Sequence, residues 1–141
     1  MQTLFDNHMN EEKIDNHSLY NEKWTSWVDM KIYGPASRWL RSLISDQISV
    51  MDKGSVKSTL DVGSGEGTIT HFMAQKLPDA TVLGIDFSES GIECARTSYQ
   101  LPNLSFQHDL ESRALEQKYD LVTEFEVLEH VDDWQNPLGR M

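Results

Sequence analysis

The chain has very little cysteine, since Cys94 is the only one among its 141 residues. A single thiol excludes an internal disulfide framework and a zinc site built from several cysteines. No apolar run approaches the roughly 20 residues that a membrane-spanning helix needs. Residues 1–10 contain neither the basic region nor the apolar region of a secretion signal. These absences predict a cytoplasmic protein that has no membrane partner.

Basic residues are also scarce. The chain has 12 lysines and arginines against 23 aspartates and glutamates, which gives a formal net charge of −11. Proteins that bind nucleic acids need clustered lysine and arginine to neutralise phosphates. The charge therefore disfavours a nucleic-acid partner, and the length suits a single domain.

The apolar pattern predicts a polar start followed by two helices. We expect residues 1–17 to form a flexible N-terminal segment, because they are polar and show no periodicity. Apolar residues at three- and four-residue steps then predict a helix that ends at Gly34 and a second helix that begins at Pro35. The apolar positions of these helices are Tyr20, Trp24, Trp27, Val28 and Ile32 in the first, and Trp39, Leu40, Leu43, Ile44 and Ile48 in the second.

Strand and helix patterns alternate from residue 58 onward. Strands are predicted at 58–62, 81–86, 104–108 and 119–125. The helix after the first strand has its apolar face at Ile69, Phe72, Met73 and Leu77, and the helix after the second strand at Ile92, Ala95 and Tyr99. Strands that alternate with helices indicate parallel βαβ units. The predicted fold class is therefore α/β.

Residues 60–67, Leu-Asp-Val-Gly-Ser-Gly-Glu-Gly, lead from the first strand into a turn with three glycines. Glycine lets a ligand approach the backbone, and the helix that follows points unpaired N–H groups at the ligand. A dinucleotide fingerprint would need glycine where the chain has Thr68, and a phosphate-binding P-loop would need a lysine that is absent between Lys57 and Lys76. A tight turn without a ligand is the simpler alternative.

Polar residues follow the other strands too. Asp86 ends the second strand, Asp109 follows the third, and residues 126–130 follow the fourth. The ligand crevice of an open parallel sheet lies beyond the carboxyl ends of its strands. Independent turns would not place a polar group at every strand end, so the joint pattern favours a ligand site. The Asp86 carboxylate can accept hydrogen bonds from both hydroxyls of a ribose, or it can cap the next helix.

The form D-x-G-x-G-x-G resembles the first motif of the class I S-adenosylmethionine-dependent methyltransferases. Gly-Ile-Asp-Phe-Ser at residues 84–88 is similar to their second motif, and His-Asp-Leu at residues 108–110 to their third. The resemblance implies that Asp86 binds the ribose, that Phe87 lies beside the adenine and that Asp109 faces the adenine amine. The cofactor-binding residues that it implies are Asp61, Gly63, Ser64, Gly65, Gly67, Asp86, Phe87, Ser88, Asp109, Leu110, Phe125 and Glu126.

The resemblance also implies the architecture. The family fold is a Rossmann-like three-layer sandwich around a seven-stranded sheet, and this chain has strands for the order 3-2-1-4 after two N-terminal helices. We therefore expect residues 18–141 to be a partial S-adenosylmethionine-binding methyltransferase domain that is truncated at its C-terminus. The missing part would contribute to the acceptor pocket, so turnover by this chain alone is not expected. A dimer through the exposed fourth strand is one expected consequence.

Residues 125–131, Phe-Glu-Val-Leu-Glu-His-Val, supply the candidate catalytic groups. In a helix, Glu126 would share a face with Glu129 and His130. Similar segments occur in ubiquinone-pathway O-methyltransferases and in 2′-O-methyltransferases of small-RNA ends. Such a cluster can bind a divalent cation or supply a general base. We expect no metal, His130 as the base and Glu129 as the second choice, with a metal site at the three residues as the alternative.

The predicted function is S-adenosylmethionine-dependent methyl transfer to a small-molecule acceptor, through oxygen, with nitrogen or carbon as the alternative acceptor atom. The sulfonium is already activated, so the protein mainly has to align the acceptor and exclude water. Two alternatives remain open: a non-catalytic nucleoside-binding or interaction module with the same fold, and 2′-O-methylation of RNA ends.

Overall fold

The computed structural model describes residue 30, residues 33–108 and residues 113–127. The N-terminal segment at residues 1–17, most of the first predicted helix and the chain after residue 127 lie outside the described residues. The described elements are α1 Pro35–Val50, β1 Ser58–Val62, α2 Thr68–Lys76, β2 Thr81–Asp86, α3 Glu89–Ser98, β3 Leu104–His108, a 3-10 turn Arg113–Glu116 and β4 Leu121–Glu124. None of the described helices is long and apolar enough to cross a membrane.

The four strands form one parallel sheet in the order β3-β2-β1-β4. In this register Asp61 of β1 pairs with Gly84 of β2 on one side and with Thr123 of β4 on the other. The α/β class and the strand order 3-2-1-4 are therefore confirmed. Within the described part of the chain β4 pairs with β1 alone, and a dimer through its outer edge stays a prediction.

Alternation along the strands separates two faces of the sheet. One face packs against the three helices, and its core combines the clusters Ile44, Ile48, Val56, Met73, Leu77, Ala80 and Ile92, Ala95, Phe106. The other face holds Leu60 and Ile85 together with Ala114 of the 3-10 turn. The carboxyl ends of the strands emerge at one edge of this core, which is where the glycine loop at residues 63–67 and Asp86 lie.

Helix α1 buries one apolar stripe, and this stripe contains only some of the apolar positions predicted for the helix. Ile44 and Ile48 are buried and Leu40 packs against them, as expected for residues four apart on one face. Trp39 and Leu43, two other apolar positions predicted for this helix, are 67% and 40% exposed, so burial covers only part of its apolar side. Each precedes a stripe residue by one position, which turns it about 100° around the helix from that residue.

Strand β4 is shorter than the predicted 119–125. At its start, the Asp120 carboxylate accepts the backbone N–H groups of Lys57 and Ser58, both at 2.9 Å, which draws this residue into a turn around the start of β1. At its end, Glu126 has φ +57°, a left-handed conformation that an extended strand does not contain. The strand therefore runs only from Leu121 to Glu124.

Candidate active site

The glycine loop turns sharply over the end of β2. Gly63, Gly65 and Gly67 all have positive φ, at +74°, +52° and +87°, which is a conformation that glycine adopts at little cost. The N–H groups of Gly63 and Ser64 donate to the Ile85 carbonyl oxygen at 2.8 and 2.9 Å. A Cβ atom on Gly63 would collide with the Val127 side chain. The loop therefore also contacts the segment that follows β4.

Asp86 joins the glycine loop to the start of α3. Its Oδ2 atom accepts the Gly65 N–H at 2.8 Å and its Oδ1 atom accepts the Ser88 N–H at 2.7 Å. Burial raises the pKa of this carboxyl, and the two N–H groups oppose that rise. The cap of α3 is Ser88, whose Oγ atom accepts the Gly91 N–H at 3.2 Å. Each carboxylate oxygen of Asp86 keeps a further lone pair for a ligand.

Asp61 lies beneath the loop with its side chain only 2% exposed. Its Oδ2 atom accepts the Thr70 hydroxyl of α2 at 2.6 Å, and its Oδ1 atom accepts the Thr123 hydroxyl of β4 at 2.8 Å. Desolvation raises the pKa of this carboxyl from 3.8 to about 6, although both hydrogen bonds act in the opposite direction. Asp61 thus holds β1, α2 and β4 together directly under the predicted cofactor loop.

The buried threonines of this region provide a test of that arrangement. The Thr59 hydroxyl is fully buried and has no hydrogen-bond partner in the described ranges. Because valine has nearly the same shape and no polar group to desolvate, Thr59→Val is expected to raise the free energy of unfolding by about 1 kcal/mol. Thr70→Val, the matched control, removes a bond to a carboxylate and is expected to lower it by about 2 kcal/mol. Urea denaturation at pH 7.5 measures both, and equal shifts would contradict the assignment.

The remaining predicted residues are only partly described. Phe87 follows β2 and is 41% exposed, whereas Phe125 is half-buried against the core cluster that includes Ile44 and Ile48. The Ser64 hydroxyl oxygen is buried and, among the described residues, has no hydrogen-bond partner. Four further predicted residues lie outside the described residues: Asp109, Leu110, Glu129 and His130.

Glu126 does not have the helical geometry on which the predicted three-residue face depends. It is exposed, and its φ of +57° places it in a bend and not in a helix. The described ranges contain no group of three or more histidine, cysteine, aspartate and glutamate side chains arranged to hold a metal. The alternative metal site includes Glu129 and His130, which lie outside the described residues.

His108 is a site residue that sequence reasoning leaves without a role of its own. It is the partner of Asp86 in the β2–β3 register, and its Nε2 atom lies 2.9 Å from the Phe87 carbonyl oxygen. Its position in the sequence could have indicated a role. His108 is a polar residue at the end of a strand, and this strand is next to the one that ends at Asp86, the predicted ribose-binding residue. The described site is therefore built from the glycine loop, Asp86, Phe87 and His108.

Comparison with known proteins identifies the family. A family model described as a methyltransferase domain matches residues 60–141. The chain belongs to this methyltransferase family. The methyltransferase family predicted from the three motifs is thereby confirmed. The glycine loop, β2 and β4 described above all lie within the matched residues.

Two curated relatives show how much of a methyltransferase the chain represents. It is 33% identical over 138 residues to a ubiquinone biosynthesis O-methyltransferase of Coxiella burnetii, covering 94% of the chain and 56% of that protein. It is 32% identical over 108 residues to a malonyl-[acyl-carrier protein] O-methyltransferase of Acetivibrio thermocellus, covering 76% of the chain and 36% of that protein. The chain therefore spans about a third to a half of the length of these relatives.

Solved structures show the same fold. The plantazolicin methyltransferase in complex with SAH superimposes with a TM-score of 0.61 at 23% identity, over 86% of the chain and 51% of that protein. Magnesium protoporphyrin IX methyltransferase from Synechocystis with bound SAM gives a TM-score of 0.63 at 18% identity, over 92% of the chain and 71% of that protein. At these identities the likeness concerns the fold, and it agrees with the observed strand order.

Proposed function

We propose that this methyltransferase chain binds S-adenosylmethionine at the carboxyl ends of β1 and β2 and serves O-methylation of a small molecule. The observation that carries the proposal is the contact between Asp86 and the Gly65 N–H at 2.8 Å. It fixes a carboxylate and a glycine-rich backbone side by side, as a nucleoside joined to an amino acid requires. The curated relatives named above are O-methyltransferases, which supports oxygen as the acceptor atom.

The described residues fit this cofactor. Asp86 has lone pairs for the two ribose hydroxyls, and the exposed Phe87 ring offers an apolar surface for the base. The positive φ values of Gly63, Gly65 and Gly67 give the tight backbone turn along which the methionine part is proposed to bind. When bound, the cofactor supplies a methyl group that is already activated for transfer. The residues of the chain then have to orient the acceptor, exclude water and take the acceptor proton.

His130 is the proposed base, with Glu129 as the second choice. Support comes from Val127, whose side chain lies against the Gly63 backbone. Three residues of extended chain span at most about 11 Å, so the Cα atom of His130 cannot lie farther than that from the Cα atom of Val127. An imidazole can accept a hydroxyl proton near neutral pH, which is the requirement for an oxygen acceptor.

Asp86→Ala tests the cofactor proposal. The variant loses a charged acceptor for the ribose and also releases the Gly65 N–H. We expect the dissociation constant for S-adenosylhomocysteine to rise on the order of 100-fold. Isothermal titration calorimetry with the folded chain measures it. Asp120→Ala is the matched control, because Asp120 also accepts two backbone N–H groups but lies at the opposite end of the sheet.

Three results would contradict the proposal. The first is a folded chain that binds a nicotinamide dinucleotide but neither S-adenosylmethionine nor S-adenosylhomocysteine. The second is an Asp86→Ala variant that binds as tightly as the parent chain. The third is an equal loss of affinity in Asp120→Ala, which would show that the effect of Asp86 comes from general destabilisation.

A further inference from the structure

His108 connects the end of β3 to the turn that follows β2. Its Nε2 atom lies 2.9 Å from the Phe87 carbonyl oxygen, and because a carbonyl can only accept, the hydrogen is on Nε2. The parallel register places His108 directly beside Asp86. The contact therefore spans two neighbouring strand ends at the edge where the cofactor is proposed to bind.

The turn at Phe87 is held on its other side by Asp86 and Ser88. Asp86 accepts the Ser88 N–H at 2.7 Å, and Ser88 in turn caps α3 through the Gly91 N–H. Those contacts fix the peptide that follows Phe87. The hydrogen bond from His108 to the carbonyl of the same peptide adds a second anchor, from a different strand, and so restricts rotation of the residue that carries the exposed ring.

The charges around Asp86 agree with this arrangement. Burial is the main cause that raises the pKa of the Asp86 carboxyl, and the nearby Glu66 carboxylate raises it too. The Ser88 and Gly65 N–H groups and the neighbouring His108 act in the opposite direction. His108 thus stands close enough to favour the ionised carboxylate that a ribose would need.

We propose that His108 is a positioning residue for the nucleoside part of the cofactor, acting through the Phe87 peptide. This inference rests on the proposed function, because it assigns a role within the same cofactor site. His108 need not touch the ligand: it fixes the Phe87 ring, which provides the apolar surface for the base. Loss of the anchor would let the ring leave that position in the free protein, and binding would then have to restore it.

Three substitutions of His108 separate this role from a general effect on the strand. Glutamine places an amide N–H near the position of Nε2, whereas asparagine is one bond too short to reach the Phe87 carbonyl. Calorimetry with S-adenosylhomocysteine and with 5′-methylthioadenosine is expected to show about tenfold weaker binding for His108→Ala and His108→Asn. His108→Gln is expected to stay within about threefold of the parent. Gln107→Ala, at the exposed preceding position of β3, is expected to bind like the parent.

A double-mutant cycle with Phe87→Ala tests whether His108 acts through the ring. If it does, adding His108→Ala to Phe87→Ala produces no further loss of affinity, since the ring to be positioned is already absent. Full additivity of the two losses would overturn the inference, as would a His108→Gln variant as weak as His108→Ala. Both results leave cofactor binding by the parent chain intact, so they are distinguishable from failure of the proposed function. A parent chain that binds neither compound would overturn both.

Discussion

Gly67→Ala is expected to lower the free energy of unfolding by about 4 kcal/mol. The residue has φ +87°, where a side chain is strained. A Cβ atom there would also lie 2.6 Å from Cζ of Phe106 and 2.9 Å from Cβ of Ala95, both of which belong to the buried cluster that includes Ile92. Backbone strain and overpacking therefore add at one position. Urea denaturation followed by circular dichroism measures the change.

Two other glycines divide this effect into its parts. At Gly84 a Cβ atom would meet the Phe106 ring at 2.8 Å and Ser64 at 2.9 Å, but the backbone there is not left-handed. Gly84→Ala should therefore show the packing part, about 2 kcal/mol. At Gly54 the nearest atom would be 3.3 Å away, so Gly54→Ala should change stability by less than about 0.5 kcal/mol. A Gly67 variant no less stable than the Gly84 variant would contradict the strain argument.

Most of the sheet can be predicted from sequence because each strand is a short apolar run bounded by turn residues. The clearest case is Thr81–Asp86, which follows Pro78 and ends at the Asp86 carboxylate. The order of the strands is different, since it came from the resemblance to a family. The breadth of the apolar stripe on α1 was not predictable. Its apolar positions cover a wider arc than the neighbouring elements bury, and the pattern does not tell which part of that arc faces solvent.

The site divides in a similar way. The three glycines and Asp86 are recognisable because their spacing along the chain is itself the signal. The hydrogen bonds of Asp61 cannot be recognised in this way. Their hydroxyl donors, Thr70 and Thr123, are nine and 62 positions away in the sequence and come together only in the folded sheet. His108 likewise acquires its partner through the β2–β3 register. The face expected from Glu126, Glu129 and His130 requires a helical Glu126, and the φ of +57° at this residue is a feature that the residue pattern does not encode.

The Asp61 arrangement has a consequence for the free energy of unfolding at different pH values. Its folded pKa of about 6 stands above the unfolded value of 3.8, so the folded chain binds this proton more tightly. The stabilisation is therefore complete below pH 3.8, declines as the pH rises through that value and is lost above pH 6. The difference between the two pKa values corresponds to about 3 kcal/mol. As the pH rises from 3.5 to 7.5, the free energy of unfolding of the wild type is expected to fall by this amount relative to that of an Asp61→Asn variant.

Asparagine is the informative replacement because its oxygen can still accept one threonine hydroxyl while its amide donates to the other. Urea denaturation of both proteins between pH 3.5 and 7.5 gives the difference, in which contributions from carboxyl groups that do not interact with Asp61 cancel. Asp120 provides a control of opposite sign. Backbone N–H groups lower the pKa of Asp120, so its contribution to the free energy of unfolding is lost as the pH falls. The wild type should therefore lose stability relative to Asp120→Asn as the pH falls, and relative to Asp61→Asn as the pH rises. A stability difference between wild type and Asp61→Asn that does not change with pH would show that the buried carboxyl has no raised pKa.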